Sequence, residues 1–116
     1  MLNQVVFVGR LCKEPEVRET ETGKKVANIT LAVPRSYKNE DGVYDTDFIN
    51  CTLWNHVAES TAEYCKKGDM IGIKGRIETR EIQNDNHKHT ENIVVADKVT
   101  FLSSSKEKND DKEMNM

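Results

Sequence analysis

Large aromatic side chains alternate with small polar ones between residues 48 and 54, and this spacing suits chemistry at a flat surface. Side chains along a β-strand point alternately to opposite faces, so Phe48 and Trp54 share one face, with Asn50 and Thr52 between them. A wettable face with two flat rings can stack unpaired nucleobases. Each stacked base contributes ~1–3 kcal/mol to binding. The alternative is that both rings pack beneath a loop or in a contact between subunits.

Two tyrosines lie just before this strand, in the polar stretch 36–47, where Asp41-Gly42 indicates a hairpin turn. We expect Tyr37 to lie in a flexible loop, where it can close over a bound strand of DNA. Tyr44 is expected to be half-buried at the base of the same loop. The loop therefore adds one candidate ring to the two on the strand.

Residues 70–80 place positive charge on one face of a second strand. Lys74, Arg76 and Arg80 alternate with apolar residues and share their face with one acid, Glu78. Such a stripe can follow a phosphate backbone, and it makes binding weaken as salt is added. The alternative is an ordinary solvated sheet face. Arg10 and Arg35 are further candidates, so the predicted contacts to single-stranded DNA are Tyr37, Phe48, Trp54, Arg10, Arg35, Lys74, Arg76 and Arg80.

Five strands and one helix are predicted to position these residues. The strands span residues 5–11, 26–35, 48–54, 70–80 and 93–102, and the helix spans residues 55–67. This order predicts an all-β protein with the OB-fold, a five-stranded Greek-key barrel with one short helix between strands 3 and 4. Residues 1–103 form the domain, and the composition of residues 104–116 predicts a disordered polar tail.

Several local features refine this prediction. The odd positions of the second strand, from Ala27 to Val33, are expected to face the core, and Pro34 to end that strand or mark an edge. Asn55 is expected to cap the helix, with Gly68 just beyond its end. Asp97 is expected at a β-bulge. Residues 13–22 and 81–92 are predicted to be loops, and Lys66 and Lys67 to lie in the last helical turn.

Composition and charge exclude several classes of protein. The chain has 17 Lys and Arg against 20 Asp and Glu, a net charge of −3, whereas nucleic-acid-binding domains are usually basic. Binding must therefore depend on the local placement of charge. Three scattered cysteines argue against a disulfide framework and a zinc site. Without a leader pattern or an apolar run of ~18 residues, the chain is expected to be cytoplasmic.

No arrangement of residues indicates catalysis or a cofactor. The sequence offers no nucleophile beside a base and no pair of carboxylates on core elements. His87 and His89 fall in the polar stretch 81–92, where exposed histidines are expected rather than a metal site.

Three segments closely resemble bacterial single-stranded DNA-binding proteins. They are residues 3–18 (NQVVFVGRLCKEPEVR), 26–32 (VANITLA) and 67–80 (KGDMIGIKGRIETR), and the resemblance extends over about residues 1–103. It implies an OB-fold, a homotetramer without catalytic activity, and roles in replication, recombination and repair. The family's stacking aromatics correspond here to Tyr37, Phe48 and Trp54, whereas a fourth aromatic position is occupied by Ile82.

Two features bear on partners. Residues 5–8 are apolar on both faces, so the first strand is either buried on both sides or forms a dimer contact. The C-terminal stretch contains Asp110, Asp111 and Glu113 but ends in Met-Asn-Met, where family members that recruit enzymes end in acids followed by Pro-Phe. Recruitment of repair or replication enzymes through the tail is therefore not expected, and an accessory, competence-type, phage or plasmid version remains open.

Other functions stay open at this point. An OB-fold module could bind protein partners at a replication fork through the Phe48–Trp54 face, with only weak nucleic-acid binding. RNA binding is an alternative because stacking does not require the absence of a 2′-hydroxyl group. A small nuclease is the least supported alternative, since no metal-binding cluster of carboxylates is evident.

Overall fold

Six strands and one helix make up the computed structural model, which describes residues 1–104. In chain order they are β1 (Val5–Leu11), β2 (Val17–Glu19), β3 (Lys25–Lys38), β4 (Tyr44–Trp54), α1 (Asn55–Tyr64), β5 (Met70–Asn84) and β6 (His87–Ser103). Apart from Ser104, the predicted polar tail of residues 104–116 lies outside the described residues.

Five of these strands close into a barrel. The strand order is β1-β5-β6-β4-β3-β2, and β1 also pairs with β3, which joins the two sides of the sheet. Every pairing is antiparallel except that between β4 and β6, where Cys51 lies opposite Val94 and Thr52 opposite Val95. The helix lies between β4 and β5 in the chain. The predicted OB-fold is confirmed, with β2 as a short additional strand beside β3.

The barrel core follows the period-two pattern of the sequence. Ala27, Ile29 and Leu31 of β3 are buried, and Cys51 and Leu53 lie opposite the first two of them on β4. The prediction that alternate positions of these strands face inward is confirmed. Burying such apolar side chains is worth about 1.5–3 kcal/mol each. The remaining members of the buried cluster are Leu11, Ala58, Cys65, Ile71, Ile73 and Ala96, so α1 packs on the barrel through Ala58.

The sequence predicted that residues 13–22 form a loop, but part of this segment is a strand. Residues 17–19 form β2, which pairs with β3 so that Val17 lies opposite Ala27 and Glu19 opposite Lys25. An ion pair of 3.1 Å joins Lys25 Nζ to Glu19 Oε2 at the end of this pairing. Three mostly polar residues carry no alternating apolar pattern, and only their backbone pairing with β3 makes them a strand.

Two long hairpin arms replace the predicted loops 36–47 and 81–92. The first arm consists of residues 34–48, in which β3 continues past Pro34 and β4 begins at Tyr44. A register shift after Pro34 accommodates this residue, which cannot donate to the ladder. The second arm consists of residues 78–93, where Asp85 and Asn86 turn the chain with φ of 40° and 73°. Positive φ at both central residues defines the tight hairpin turn that matches strand twist.

The helix differs from its prediction at both ends. Asn55 Oδ1 accepts a hydrogen bond from Lys25 N at 3.2 Å, and no side chain caps the helix. The helix ends at Tyr64, because the Asp69 carboxylate accepts a hydrogen bond from Lys66 N and turns the chain away. Lys66 and Lys67 therefore lie beyond the helix rather than in its last turn. Within residues 1–104, no helix has the length and apolar character to cross a membrane.

The predicted bulge at Asp97 is confirmed. Lys98 lies opposite Lys74 and Ala96 opposite Gly75, so Asp97 is an extra residue in β6. The two strands approach closely at this point, because a Cβ added to Gly75 would lie 2.1 Å from the carbonyl oxygen of Val95. The close approach requires glycine at position 75.

Candidate nucleic-acid interface

The outer face of β4 carries the two aromatic residues that the spacing indicated. Phe48 is 68% exposed and Trp54 is half-buried, whereas Cys51 and Leu53 point into the core. Thr30 Oγ1 donates to Asn50 Oδ1 at 2.8 Å, between the two rings. The face is therefore polar and ordered between two rings, as base stacking requires.

Trp54 has a second, structural role. It lies directly opposite Val26 of β3. Val26 is almost completely buried, although it belongs to the outer face of β3. Side chains that lie directly opposite on paired strands are about 4.5–5.5 Å apart at Cβ. Trp54 is therefore both a candidate stacking ring and part of the packing on the outer face, whereas Phe48 lies opposite the smaller Ala32 and is largely exposed.

The aromatic and cationic stripes share one face of the sheet. Thr52 of β4 lies opposite Val95 of β6, which in turn lies opposite Arg76 of β5. Residues directly opposite one another point to the same side of a sheet. With neighbouring strands about 4.8 Å apart, β5 lies about 10 Å from β4 across β6 where these three strands pair. The predicted residues of the two strands are therefore brought together.

Arg76 is already neutralised within the protein. Its guanidinium donates to Glu78 Oε2 at 2.7 Å and also forms an ion pair with Asp97. The hydrogen bond to Glu78 and the charge of Asp97 raise the pKa of Arg76. The side chains of Lys74 and Arg80 are exposed and make no hydrogen bond or ion pair within residues 1–104. These two residues are the cations of the predicted stripe that are available to a phosphate.

Arg35 is also engaged by carboxylates. It donates to both carboxylate oxygens of Asp47, at 3.0 and 3.1 Å, and lies 3.8 Å from Asp45. This bidentate contact holds the pKa of Asp47 below its usual value and raises that of Arg35. The Arg35 guanidinium lies 6.0 Å from the centre of the Tyr37 ring, which forms a cation–π contact.

Tyr37 belongs to a strand and not to a flexible loop. It lies in β3 on the first arm, clustered with Arg35 and Asp47. Asp47 immediately precedes Phe48 on β4, so alternation puts this cluster on the opposite side of the arm from Phe48. Tyr37 therefore does not extend the Phe48 platform directly. The prediction for Tyr44 is wrong, because Tyr44 is exposed and carries Lys38 5.7 Å above its ring centre.

Arg10 has a structural contact. Its Nη1 donates to the carbonyl oxygen of Gly68 at 3.0 Å, which ties β1 to the turn before β5. The part-buried guanidinium is therefore less available to DNA than Lys74 or Arg80.

Sequence reasoning missed the ion pairs that neutralise these cations. It placed Glu78 on the strand face of Arg76 but did not predict that the two side chains pair. Asp97 reaches Arg76 from β6, and Asp47 reaches Arg35 from β4. Both contacts depend on strand register, which the local pattern does not show.

A closed OB-fold barrel with exposed rings and cations on its outer face is typical of oligonucleotide-binding proteins. The sequence matches the single-strand binding protein family over residues 2–102. This chain belongs to that family. The match covers almost all of the described residues, so the barrel and both arms fall inside it.

Several curated bacterial proteins are similar to this chain. Single-stranded DNA-binding protein B of Bacillus subtilis (strain 168) is 50% identical over 105 residues, which cover 88% of this chain and 91% of that protein. The single-stranded DNA-binding protein of Oceanobacillus iheyensis is 48% identical and that of Halalkalibacterium halodurans 49% identical. The matches cover 90% and 88% of this chain but only 65% and 61% of these two longer proteins.

Proposed function

We propose that this protein binds and protects single-stranded DNA without sequence preference, in replication, recombination or repair. The observation that carries the proposal is the outer face of β4, where Phe48 and Trp54 flank ordered polar side chains. Stacking tolerates any sequence because every base has a π-face. The family membership and the names of the relatives support the same function.

Phosphate contacts are proposed to contribute less than the sequence indicates. Lys74 and Arg80 are available, whereas Arg35 and Arg76 must exchange carboxylates for phosphates. Exposed ion pairs contribute little in water, so the exchange is feasible but adds little net attraction. Binding by a protein of net charge −3 therefore depends mainly on stacking.

Titration with an oligo-dT of about eight nucleotides, a length that one OB-fold can cover, is expected to quench the fluorescence of Trp54. Trp54 is the single tryptophan of the chain, so the signal reports on this ring alone. Each phosphate contact adds about 0.7 to the slope of log affinity against log salt for single strands. Two available cations predict a slope of about −1.4, whereas all five predicted cations would give about −3.5.

Unchanged fluorescence at low salt would remove the stacking role of Trp54. A slope near the steeper value would instead show that Arg10, Arg35 and Arg76 all reach phosphates. Gel shifts with single-stranded DNA, duplex DNA and RNA at two salt concentrations distinguish the proposed ligand from the alternatives. If no nucleic acid shifts, the Phe48–Trp54 face is better explained as an interface for a protein partner.

We also propose a homotetramer in which β1 forms the dimer contact. Val6 and Val8 on the outer face of β1 are largely exposed, and Leu102 of β6 is exposed as well. A Cβ at Gly72 would lie 3.9 Å from both Val8 and Leu102, so these side chains border one apolar surface. Contiguous exposed apolar surfaces often mark contacts between proteins.

Val6→Lys is expected to dissociate the assembly into smaller species in sedimentation velocity, because it places a charge in this apolar contact. Val43→Lys is the matched control, since Val43 is similarly exposed but lies at the turn of the first arm. An unchanged sedimentation coefficient for Val6→Lys, with wild-type protein confirmed as an oligomer, would place the contact elsewhere.

The protein is further proposed to act by binding alone, without catalysis or a cofactor, in the cytoplasm and in association with the nucleoid. The family consists of DNA-binding proteins, which supports this proposal. Incubating labelled DNA with the protein and magnesium tests it, and cleavage of the label would contradict it.

A further inference from the structure

The second arm carries an exposed ring on the same sheet face as Phe48 and Trp54. Val95 of β6 shares the face of Thr52, and alternation back along β6 puts His89 on that face as well. His89 lies opposite Ile82 of β5, and Ile82 is on the same strand face as Arg80. The outer face of the barrel therefore continues onto the second arm.

Both arms extend from the same end of the barrel. The strands β4 and β6 are parallel, and each begins in its arm before the two pair at Thr52 and Val95. Phe48 precedes Thr52 by four positions, and His89 precedes Val95 by six. The two rings therefore belong to residues about 13 and 20 Å along their strands from the Thr52–Val95 pair. A strand of DNA that leaves Phe48 in this direction meets the second arm next.

The His89 ring is half exposed and is hydrogen-bonded at its edge. The side chain is 50% exposed, and its Nε2 lies 3.1 Å from Glu91 Oε1, two residues along the same face. A hydrogen bond at a ring nitrogen lies in the plane of the ring, so it orients the imidazole without covering its π-faces. A ring that is already oriented loses less conformational freedom when a ligand stacks on it.

We propose that His89 stacks an unpaired nucleobase and so extends the platform of Phe48 and Trp54 onto the second arm. Histidine rings are among the side chains on which unstacked bases are bound. The proposal rests on the proposed function, and it adds a ring that the sequence pattern had assigned to a solvated loop.

Two other roles for this histidine make different predictions. If His89 acted as a cation, it would contact a phosphate of the DNA. Removal of the charge of Lys88, on the opposite face of the arm, shows how much the loss of one charge from this arm changes the affinity. As a metal ligand it would need partners, but within residues 1–104 no three His, Cys, Asp or Glu side chains are grouped closely enough.

The experiment compares affinities for an oligo-dT of about 16 nucleotides, which is the upper end of the length bound by one OB-fold. His89→Ala is expected to weaken binding about fivefold, the lower end of the effect of losing one stacked base. His89→Phe keeps a flat ring without charge or hydrogen bond and is expected to bind within about twofold of wild type. His89→Gln keeps a hydrogen-bonding group without a ring and is expected to be as weak as His89→Ala.

Thr90→Ala, on the opposite face of the same strand, and Lys88→Ala are the controls, and both are expected to bind as wild type within about twofold. Wild-type affinity for His89→Ala, or a His89→Phe variant as weak as His89→Ala, would overturn the proposal. Failure of the wild-type protein to bind oligo-dT at low salt would instead contradict the proposed function, so the two failures are distinguishable.

Discussion

Phe48→Ala is expected to weaken binding of single-stranded DNA by about 5- to 150-fold, which corresponds to the loss of one stacked base. Phe48 is 68% exposed and has a small neighbour, Ala32, directly opposite on β3. Its ring therefore contributes little to the fold, and the loss should appear in DNA affinity alone. Fluorescence anisotropy with labelled oligo-dT measures the affinity, and thermal unfolding of the same variant measures the stability.

Tyr64→Ala is the matched control for this substitution. Tyr64 is as exposed as Phe48, but it lies on α1 beside the groove between the helix and β6. Its removal is expected to leave DNA affinity unchanged. Equal affinities for Phe48→Ala and wild type would show that the outer face of β4 does not stack bases. Trp54→Ala is less informative, because Trp54 is half-buried opposite Val26 and its loss affects stability as well.

Gly75→Ala is expected to destabilise the protein by about 3 kcal/mol, the upper end of the usual cost of forcing an atom into a packed interior. The new Cβ would lie 2.1 Å from the carbonyl oxygen of Val95, so the backbone of β5 or β6 must move. The strands meet here beside the Asp97 bulge, which sets the register of the second arm. For a domain of this size the midpoint of thermal unfolding should fall by about 12–24 °C.

Gly72→Ala serves as the comparison on the same strand. A Cβ at Gly72 would meet its nearest neighbour, the carbonyl oxygen of Phe7, at 3.8 Å, an ordinary contact distance. The two substitutions make the same chemical change in β5, and only their surroundings differ. If Gly75→Ala unfolded at the same temperature as Gly72→Ala, the close approach of β5 and β6 would be contradicted.

The barrel strands could be predicted because their signal is local. Ala27, Ile29 and Leu31 alternate with polar residues, and each inward position is decided by a period of two along one short segment. The same alternation placed Phe48 on the outer face before any tertiary information was used. The bulge at Asp97 was predictable for a similar reason, since this acid directly follows the apolar run of residues 93–96 in the middle of the predicted strand.

The two arms and β2 could not be predicted in this way. Residues 81–92 are polar on both faces because both faces of the second arm are largely exposed, and so no apolar period identifies a strand. Backbone hydrogen bonds between residues distant in the chain hold these segments, and such pairing leaves no local pattern. The Asp85-Asn86 turn was a weak signal, because asparagine and aspartate adopt positive φ more readily than most residues.

The order of residues alone was enough to specify the all-β barrel, its core and the outward rings of β4, because burial acts on side chains that alternate within a single strand. Tertiary structure decided which charges are free. Strand register brings Asp47 to Arg35 and Asp97 to Arg76, whereas the side chains of Lys74 and Arg80 form no ion pair with any acid within residues 1–104. The further contact of Arg76 with Glu78 is local to β5. Electrostatic attraction depends on distances across strands, and pairing between strands, rather than position in the chain, determines those distances.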